Sequence, residues 1–324
     1  MSMSEEKPEK NKCVVGVGIN LFDARAILLR GDGKVLVEVE RKQSVQTANE
    51  TIKVLFELLE EVLEKAGKHK VEIKRVGLAL GGIVQQKKDM IFWPQECASF
   101  VHVTFPLKDH VEKKFGLPVL VENDANACAV AEYTLNFSKC KNILYLFSGV
   151  GCGMILDGKL YRGKNGVAGE VFLNGNNNTM ASRLGDFSFL HQWPADLYMV
   201  KRAKELISLG RDSSLIKKIT SAGALTMKDI LRDAGKKDKL AREVVREGAF
   251  ALGAKAAFLI NFLDPEAVII GGGLEDGGDI FLEECLTAIR TFSLSEARNG
   301  CKVVMSPLGN KAAALGAAYL AFTE

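Results

Sequence analysis

Val119 to Val121 is a short apolar, mostly β-branched run entered through Pro118, and it breaks off in Glu122-Asn123-Asp124-Ala125-Asn126 before the small-residue stretch Ala127 to Glu132. β-Branched residues behind a proline favour a buried strand and alanine favours helix, so a strand's carboxyl end meets a helix's first turn at Asn123-Asp124. No other stretch constrains the fold as far, because a strand feeding a helix through a polar corner is the building unit of α/β sheets. Open sheets of that kind hold their ligands at such corners. Two readings of the corner stay open. Asn123 or Asp124 can simply cap the helix, or Asp124 can take a proton from a substrate hydroxyl while Asn123 fixes the donors and acceptors around it.

The flanking chain supplies the rest of such a sheet, twice over. Cys13–Ile19, Ala24–Leu29 and Val35–Val39 form a three-strand meander with a turn at Gly31-Asp32-Gly33. From Asn49 to Lys65 the residues Ile52, Leu55, Phe56, Leu59, Val62 and Leu63 recur at helical spacing, and Gly67 is the expected stop. Val71–Leu80 is the next buried strand, ending in Gly81-Gly82. The second half repeats the order, with a strand at Asn142–Phe147, a hairpin of Met154–Leu156 and Leu160-Tyr161 around Asp157-Gly158, and helical patterns at 195–209, 226–234 and 240–261. A strand at Ala267–Ile270, a helix at 281–291, a strand at Lys302–Met305 and an alanine-rich helix at Lys311–Phe322 follow. The composition predicts a disordered polar tail over 1–12, and the spacing one α/β domain over 13–138 and a second over 139–324, with the final helix able to pack back on the first.

With 324 residues the chain is long enough for both domains. Its net charge of +3, with both signs interspersed, gives no long basic face, so no direct nucleic-acid partner is expected. No run of about eighteen apolar residues spans a membrane, and the Glu- and Lys-rich start is not a signal peptide. The seven cysteines are widely spaced with no C-x-x-C pair, which suits reduced core residues of a cytoplasmic protein.

Two glycine-rich turns lie in the second half, Ser148-Gly149-Val150-Gly151-Cys152-Gly153 and Gly271-Gly272-Gly273. Glycine lets backbone N–H groups approach phosphate oxygens, and it also serves a tight hairpin; each turn alone is compatible with either.

Taken together these segments resemble the ROK family (repressor, open reading frame, kinase), whose sugar kinases and sugar-responsive regulators share the two-domain actin-like ATPase and sugar kinase (ribonuclease H-like) fold. Val121 to Ala127 resembles the family's active-site segment. Ser148–Gly153 resembles its second phosphate loop, Asp157–Gly163 and Gly166–Glu170 the stretch leading to a sugar-binding Glu, Ile270–Leu274 the adenosine loop, and Leu308–Ala317 the closing helix. The resemblance implies Asp124 as the base, and Gln95, Asn123, Asp124 and Glu170 as sugar contacts, with the Asp124 and Glu170 carboxylates lining one cavity. It implies Ser148, Gly149, Gly151, Gly153 and Gly271, Gly272 and Gly273 around ATP with Mg2+, and a homodimer.

The chain departs from the family pattern at three places. The Asp-x-Gly-Gly-Thr of active members reads Gly18-Ile19-Asn20-Leu21-Phe22, so the carboxylate that organises magnesium is missing, and Leu21 and Phe22 are expected to narrow the space for terminal phosphates. The Ile-Gly-His and Cys-rich zinc loop after the sugar-binding Glu reads Val171-Phe172-Leu173-Asn174, and His191 has no partner at a ligand spacing, so no zinc is expected. Phe172, Leu173, Leu184, Phe187, Phe189 and Leu190 are expected to close that loop by apolar burial. The usual Pro-Asn near the sugar reads Pro94-Gln95. The expected function is ATP-dependent phosphorylation of a hexose or related sugar with Asp124 as base. The alternative is a catalytically impaired sugar sensor without a DNA-binding domain.

Overall fold

The computed structural model of the chain describes residues 11–20, 23–41, 48–85, 90–92, 106–171, 195–220 and 225–324. Two compact units divide them, one of Met1–Asn136, Arg162–Ala168 and Asn310–Glu324, the other of Phe137–Tyr161 and Gly169–Gly309.

In the first unit β1 (Lys12–Ile19), β2 (Ala24–Arg30) and β3 (Val35–Arg41) pair antiparallel. After helix α1 (Ala48–Ala66), strand β4 (Glu72–Leu80) lies parallel to β1. A small hairpin of β5 (Ile83–Gln85) and β6 (Met90–Phe92) precedes α2 (Leu107–Phe115). Strand β7 (Val119–Asn123) then pairs parallel to β4 and runs without a break into α3 (Asp124–Leu135). The sheet order is β3-β2-β1-β4-β7.

The second unit is built to the same plan. Strands β8 (Ile143–Phe147), β9 (Gly151–Leu156) and β10 (Lys159–Leu160) pair antiparallel. Helices α4 (Ala195–Ser208), α5 (Ile216–Thr220), α6 (Met227–Gly235) and α7 (Lys239–Leu263) follow. Strand β11 (Ala267–Gly271) pairs parallel to β8; then come α8 (Gly278–Phe292), α9 (Ser295–Asn299) and β12 (Lys302–Met305), parallel to β11. The order β10-β9-β8-β11-β12 repeats that of the first sheet.

The last helix, α10 (Ala312–Thr323), packs against β1, β4 and α3. It is apolar all round, which is how a helix buried on every side reads in sequence. Its approach is backbone to backbone. A Cβ on Gly77 would lie 2.0 Å from the Ala317 carbonyl oxygen, and one on Gly316 would lie 1.7 Å from that of Ala127. Glycine is required at these positions because no side chain fits between the elements.

The hydrophobic spacing located most of the long elements to within a residue or two, while β9 and α8 each begin three residues before the expected start, and the β5–β6 hairpin, α5 and α9 carry no such spacing. Helix α1 ends at Ala66 in a single 3-10 turn, and the left-handed residue that stops it is Lys70 (φ 51°), not Gly67. Helix α2 escapes the periodicity reading because it buries only Leu107 and Val111 among charged residues.

Candidate functional site

At the Asn123-Asp124 corner the two side chains have different partners. Asn123 is the cap: its side-chain oxygen accepts the Asn126 N–H at 3.2 Å, while its Nδ2 donates to the Gly82 carbonyl at 2.9 Å. That second bond ties the corner to the loop after β4. Asp124 is the first residue of α3 and is buried, with Oδ1 accepting the Ala125 N–H at 2.8 Å. Burial pushes its carboxyl up to about 6, against the pull of the Ala125 and Asp124 backbone amides. A carboxylate tuned towards neutrality at a strand end is suited to accept a hydroxyl proton.

Glu122 fixes this corner from behind. Its Oε1 accepts the Asn123 N–H and the Asn126 Nδ2–H, both at 2.9 Å, and its Oε2 takes the Arg162 Nε–H at 2.6 Å. Arg162 also reaches Glu324 at 2.6 Å through its second arm. The strap of Arg162–Ala168 closes on itself through the Ala168 N–H to the Arg162 carbonyl at 3.2 Å. It lies so close to β5 that a Cβ on Gly166 would sit 2.5 Å from the Val84 oxygen. Removing the guanidinium opposite a buried carboxylate leaves charge with less compensation. Arg162→Ala should therefore cost roughly 3 kcal/mol in urea unfolding, with Arg162→Lys recovering part of it. Equal stability of the Ala variant and the parent would contradict this role.

The first hairpin carries no such chemistry. Gly18 faces α10, and a Cβ there would lie 2.7 Å from the Ala314 nitrogen and 2.8 Å from the Ala313 Cβ. The position where the resemblance puts a magnesium-organising Asp therefore lies directly against a helix. Asp23, a nearby carboxylate, is engaged: Arg25 holds it at 3.1 Å while also pairing with Glu40 at 2.8 Å and with Glu38, which Lys311 contacts at 3.0 Å. Burial raises the Asp23 carboxyl, against the lowering effect of Arg25. Among the described residues no group of three or more His, Cys, Asp or Glu is arranged to hold a metal. Among the described residues of this hairpin the one carboxylate, Asp23, is held by Arg25 and does not fit a magnesium site.

In the second unit the two glycine-rich turns lie side by side, since Phe147 pairs with Gly271 and the Ser148 N–H donates to the Gly271 carbonyl at 3.1 Å. Ser148 (φ 48°) and Gly149 (φ 85°) are both left-handed, closing the β8–β9 hairpin with the Val150 N–H on the Phe147 oxygen. Gly272 must stay glycine, because a Cβ would meet the Ser148 nitrogen at 2.8 Å. Glu170 is seated next to this hairpin: it bridges Gly151, while the Cys152 and Val171 N–H groups bond to the Gly169 and Val150 carbonyls.

Sequence reasoning missed two buried ionisable residues here. Lys255, 5% exposed, donates to the Gly149 carbonyl at 2.6 Å, and burial lowers its ammonium to about 8. Its signal was its place in line with Gly248, Leu252 and Leu259 on the buried stripe of α7. Glu275 follows the Gly271–Gly273 turn, with burial pushing its carboxyl to about 7 and Oε1 unpartnered among the described residues. No periodicity marks it. Gln95, Leu21, Phe22, the apolar set Phe172 to Leu190 and His191 lie outside the described residues, as does the segment on which the zinc expectation rests.

Comparison with known proteins adds lineage. The ROK family pattern matches residues 14–324. A glucokinase from Halalkalibacterium halodurans is 30% identical over 265 residues, 79% of this chain and 78% of that one. A xylose repressor from Caldicellulosiruptor bescii is 26% identical over 316 residues, 96% of this chain and 78% of that one. The solved structure of a ROK family glucokinase from Streptomyces griseus, in complex with glucose and AMPPNP, superimposes with a TM-score of 0.77 at 27% identity, covering 96% and 100% of the two chains.

Proposed function

Because the chain belongs to the ROK family, we propose that it is a sugar-binding protein on a sugar-kinase frame whose phosphoryl transfer is impaired. Asn123, Asp124, Glu170 and Gln95 hold a hexose or related sugar. The observation that carries this reading is the contrast inside the first unit between an ordered Asn123-Asp124 corner and a first hairpin in which α10 fills the space at Gly18. Sugar recognition needs the former. Phosphoryl transfer needs charge and positioning at the latter, where catalysis of this class comes almost wholly from holding the phosphates.

A second reading, an ATP-dependent kinase, is favoured by the tuning of Asp124 to about 6, which a purely binding carboxylate does not require. In that reading Asp124 takes the proton of the sugar hydroxyl, and the turns at Ser148–Gly153 and Gly271–Gly273 face the nucleotide. Relatives of both kinds, glucokinase and xylose repressor, align with the chain.

Calorimetric titration with hexoses, hexosamines and their N-acyl forms, and separately with ATP and magnesium, tests the proposal. Heat with a sugar and none with nucleotide is the expected result. Sugar-dependent ADP release at about 1 to 100 turnovers per second would instead establish the second reading. Absence of sugar binding would overturn both.

A further inference from the structure

Lys255 is an unfavourable residue for the place it holds. It lies on the buried stripe of α7, and among the described residues no carboxylate pairs with it. An ammonium taken out of water without an ionic partner costs folding energy that an apolar side chain of the same length does not. What it holds instead is the Gly149 carbonyl, at 2.6 Å. The turn around that carbonyl is under strain, because Ser148 (φ 48°) adopts the left-handed conformation that suits glycine. The same turn carries Glu170. The Val171 N–H donates to the Val150 carbonyl at 3.1 Å and the Cys152 N–H to the Gly169 carbonyl at 2.8 Å, so that Glu170 lies directly across from Gly151. Gly169 (φ 97°) is pressed so close that a Cβ there would stand 2.0 Å from the Cys152 oxygen.

We propose that Lys255 is a positioning residue for Glu170: its ammonium pins the Gly149 carbonyl, the pinned turn presents Val150 to Cys152 in register, and these residues fix the backbone that carries the Glu170 carboxylate. The inference rests on the reading of Glu170 as a sugar contact and adds the residue that sets its place. Every contact in the series lies within the second unit. Protonation gives the series a handle. Burial, the one cause acting on it, lowers the Lys255 ammonium to about 8, so the bond to Gly149 is charge-assisted below that pH and weakens as pH rises through it. The titratable groups on the elements packed against α7 are engaged elsewhere. Tyr198 and Arg202 of α4 bond to Glu247, Asp233 of α6 to Arg232, and Arg298 of α9 to the Arg290 carbonyl. The Cys285 thiol of α8 faces the Ala249 carbonyl, and Cys152, next to the turn, is a neutral thiol that burial pushes up to about 12.

In the isotope-labelled parent, without sugar, the amide signals of Val150, Cys152 and Val171 are expected to titrate together with a midpoint of about 8, and in Lys255→Met to stay flat. Calorimetric titration with glucose and with N-acetylglucosamine is expected to show binding roughly tenfold weaker in Lys255→Met than in the parent. Parent affinity should fall above pH 8, while Lys255→Arg, charged throughout, should hold its own to about pH 9.5. In a Glu170→Gln background the Lys255→Met change should weaken binding by less than about twofold, because residues acting through one another do not add. A full tenfold loss in that background, or parent amides that do not respond near pH 8, overturns the proposal. The parent titration decides the matter if Lys255→Met does not fold. No heat with either sugar counts against the sugar site itself, and the amide titration still judges the pin, so the two readings fail separately.

Discussion

Gly18→Asp, the substitution that would write the kinase residue back into the first hairpin, is expected to destabilise the protein by at least about 4 kcal/mol and to restore no activity. The new Cβ would stand 2.7 Å from a backbone nitrogen of α10 and 2.8 Å from the Ala313 methyl, so the helix itself must shift. Overpacking of that kind commonly costs 1–3 kcal/mol, and the carboxylate behind it is driven against a helix that already fills the space. Against a total stability of roughly 5–15 kcal/mol the loss is large, and it corresponds to a fall in Tm of roughly 10 °C. Gly18→Ala separates the steric part from the charge. Thermal unfolding and a coupled ADP assay on both variants provide the check. An Asp variant as stable as the parent, releasing ADP on sugar addition, would mean that α10 yields where we say it cannot.

Asp124→Asn is expected to act in opposite directions on stability and on function. The folded protein holds the Asp124 carboxyl at about 6 against an ordinary value of 3.8, so between those limits it binds a proton more readily than the unfolded chain. The associated stability is fully present below pH 3.8 and is lost as pH rises through about 6, leaving a buried charge in place at neutral pH. The neutral Asn removes that cost, and stability at pH 7.5 should rise by about 1–3 kcal/mol, with the parent's fall between pH 4 and 6 absent from the variant. If the protein transfers phosphate at all, turnover should drop by roughly two to four orders of magnitude while sugar affinity holds. Comparable loss of turnover and of sugar affinity would instead give Asp124 a binding role alone. A variant less stable than the parent at pH 7.5 would refute the burial argument.

The strands and long helices were legible because each buries one recurring face: β1, β4, β7 and β8 are apolar runs, and α1 and α7 carry the helical period. The corner was legible as a place but not in its bonding, since only geometry shows that Asn123 is the residue that caps α3. Crowding of the first hairpin was read onto Leu21 and Phe22. In the described part of the molecule it arises at Gly18, from a helix nearly three hundred residues away in the chain, and no local pattern encodes such a contact. Arg162, inside the Asp157–Gly163 stretch, has no role legible in sequence because its partner Glu122 lies forty residues earlier. Lys255 and Glu275 were missed for a related reason: burial, not residue type, makes them unusual.

The glycine contacts of α10 also set a timetable for biosynthesis. Gly16, Gly18 and Gly77 expose a bare backbone face on β1 and β4, and the residues that cover it begin at Ala312. A ribosome that has finished Leu80 must add more than two hundred residues before that cover exists. At about 5–20 residues per second this is roughly 10–50 s. During that interval the nascent first sheet has no lid. The second unit, contiguous apart from the strap, is fully translated at Gly309, only about 1–3 s before Glu324 at that rate, so the half of the protein that is begun first is the half completed last.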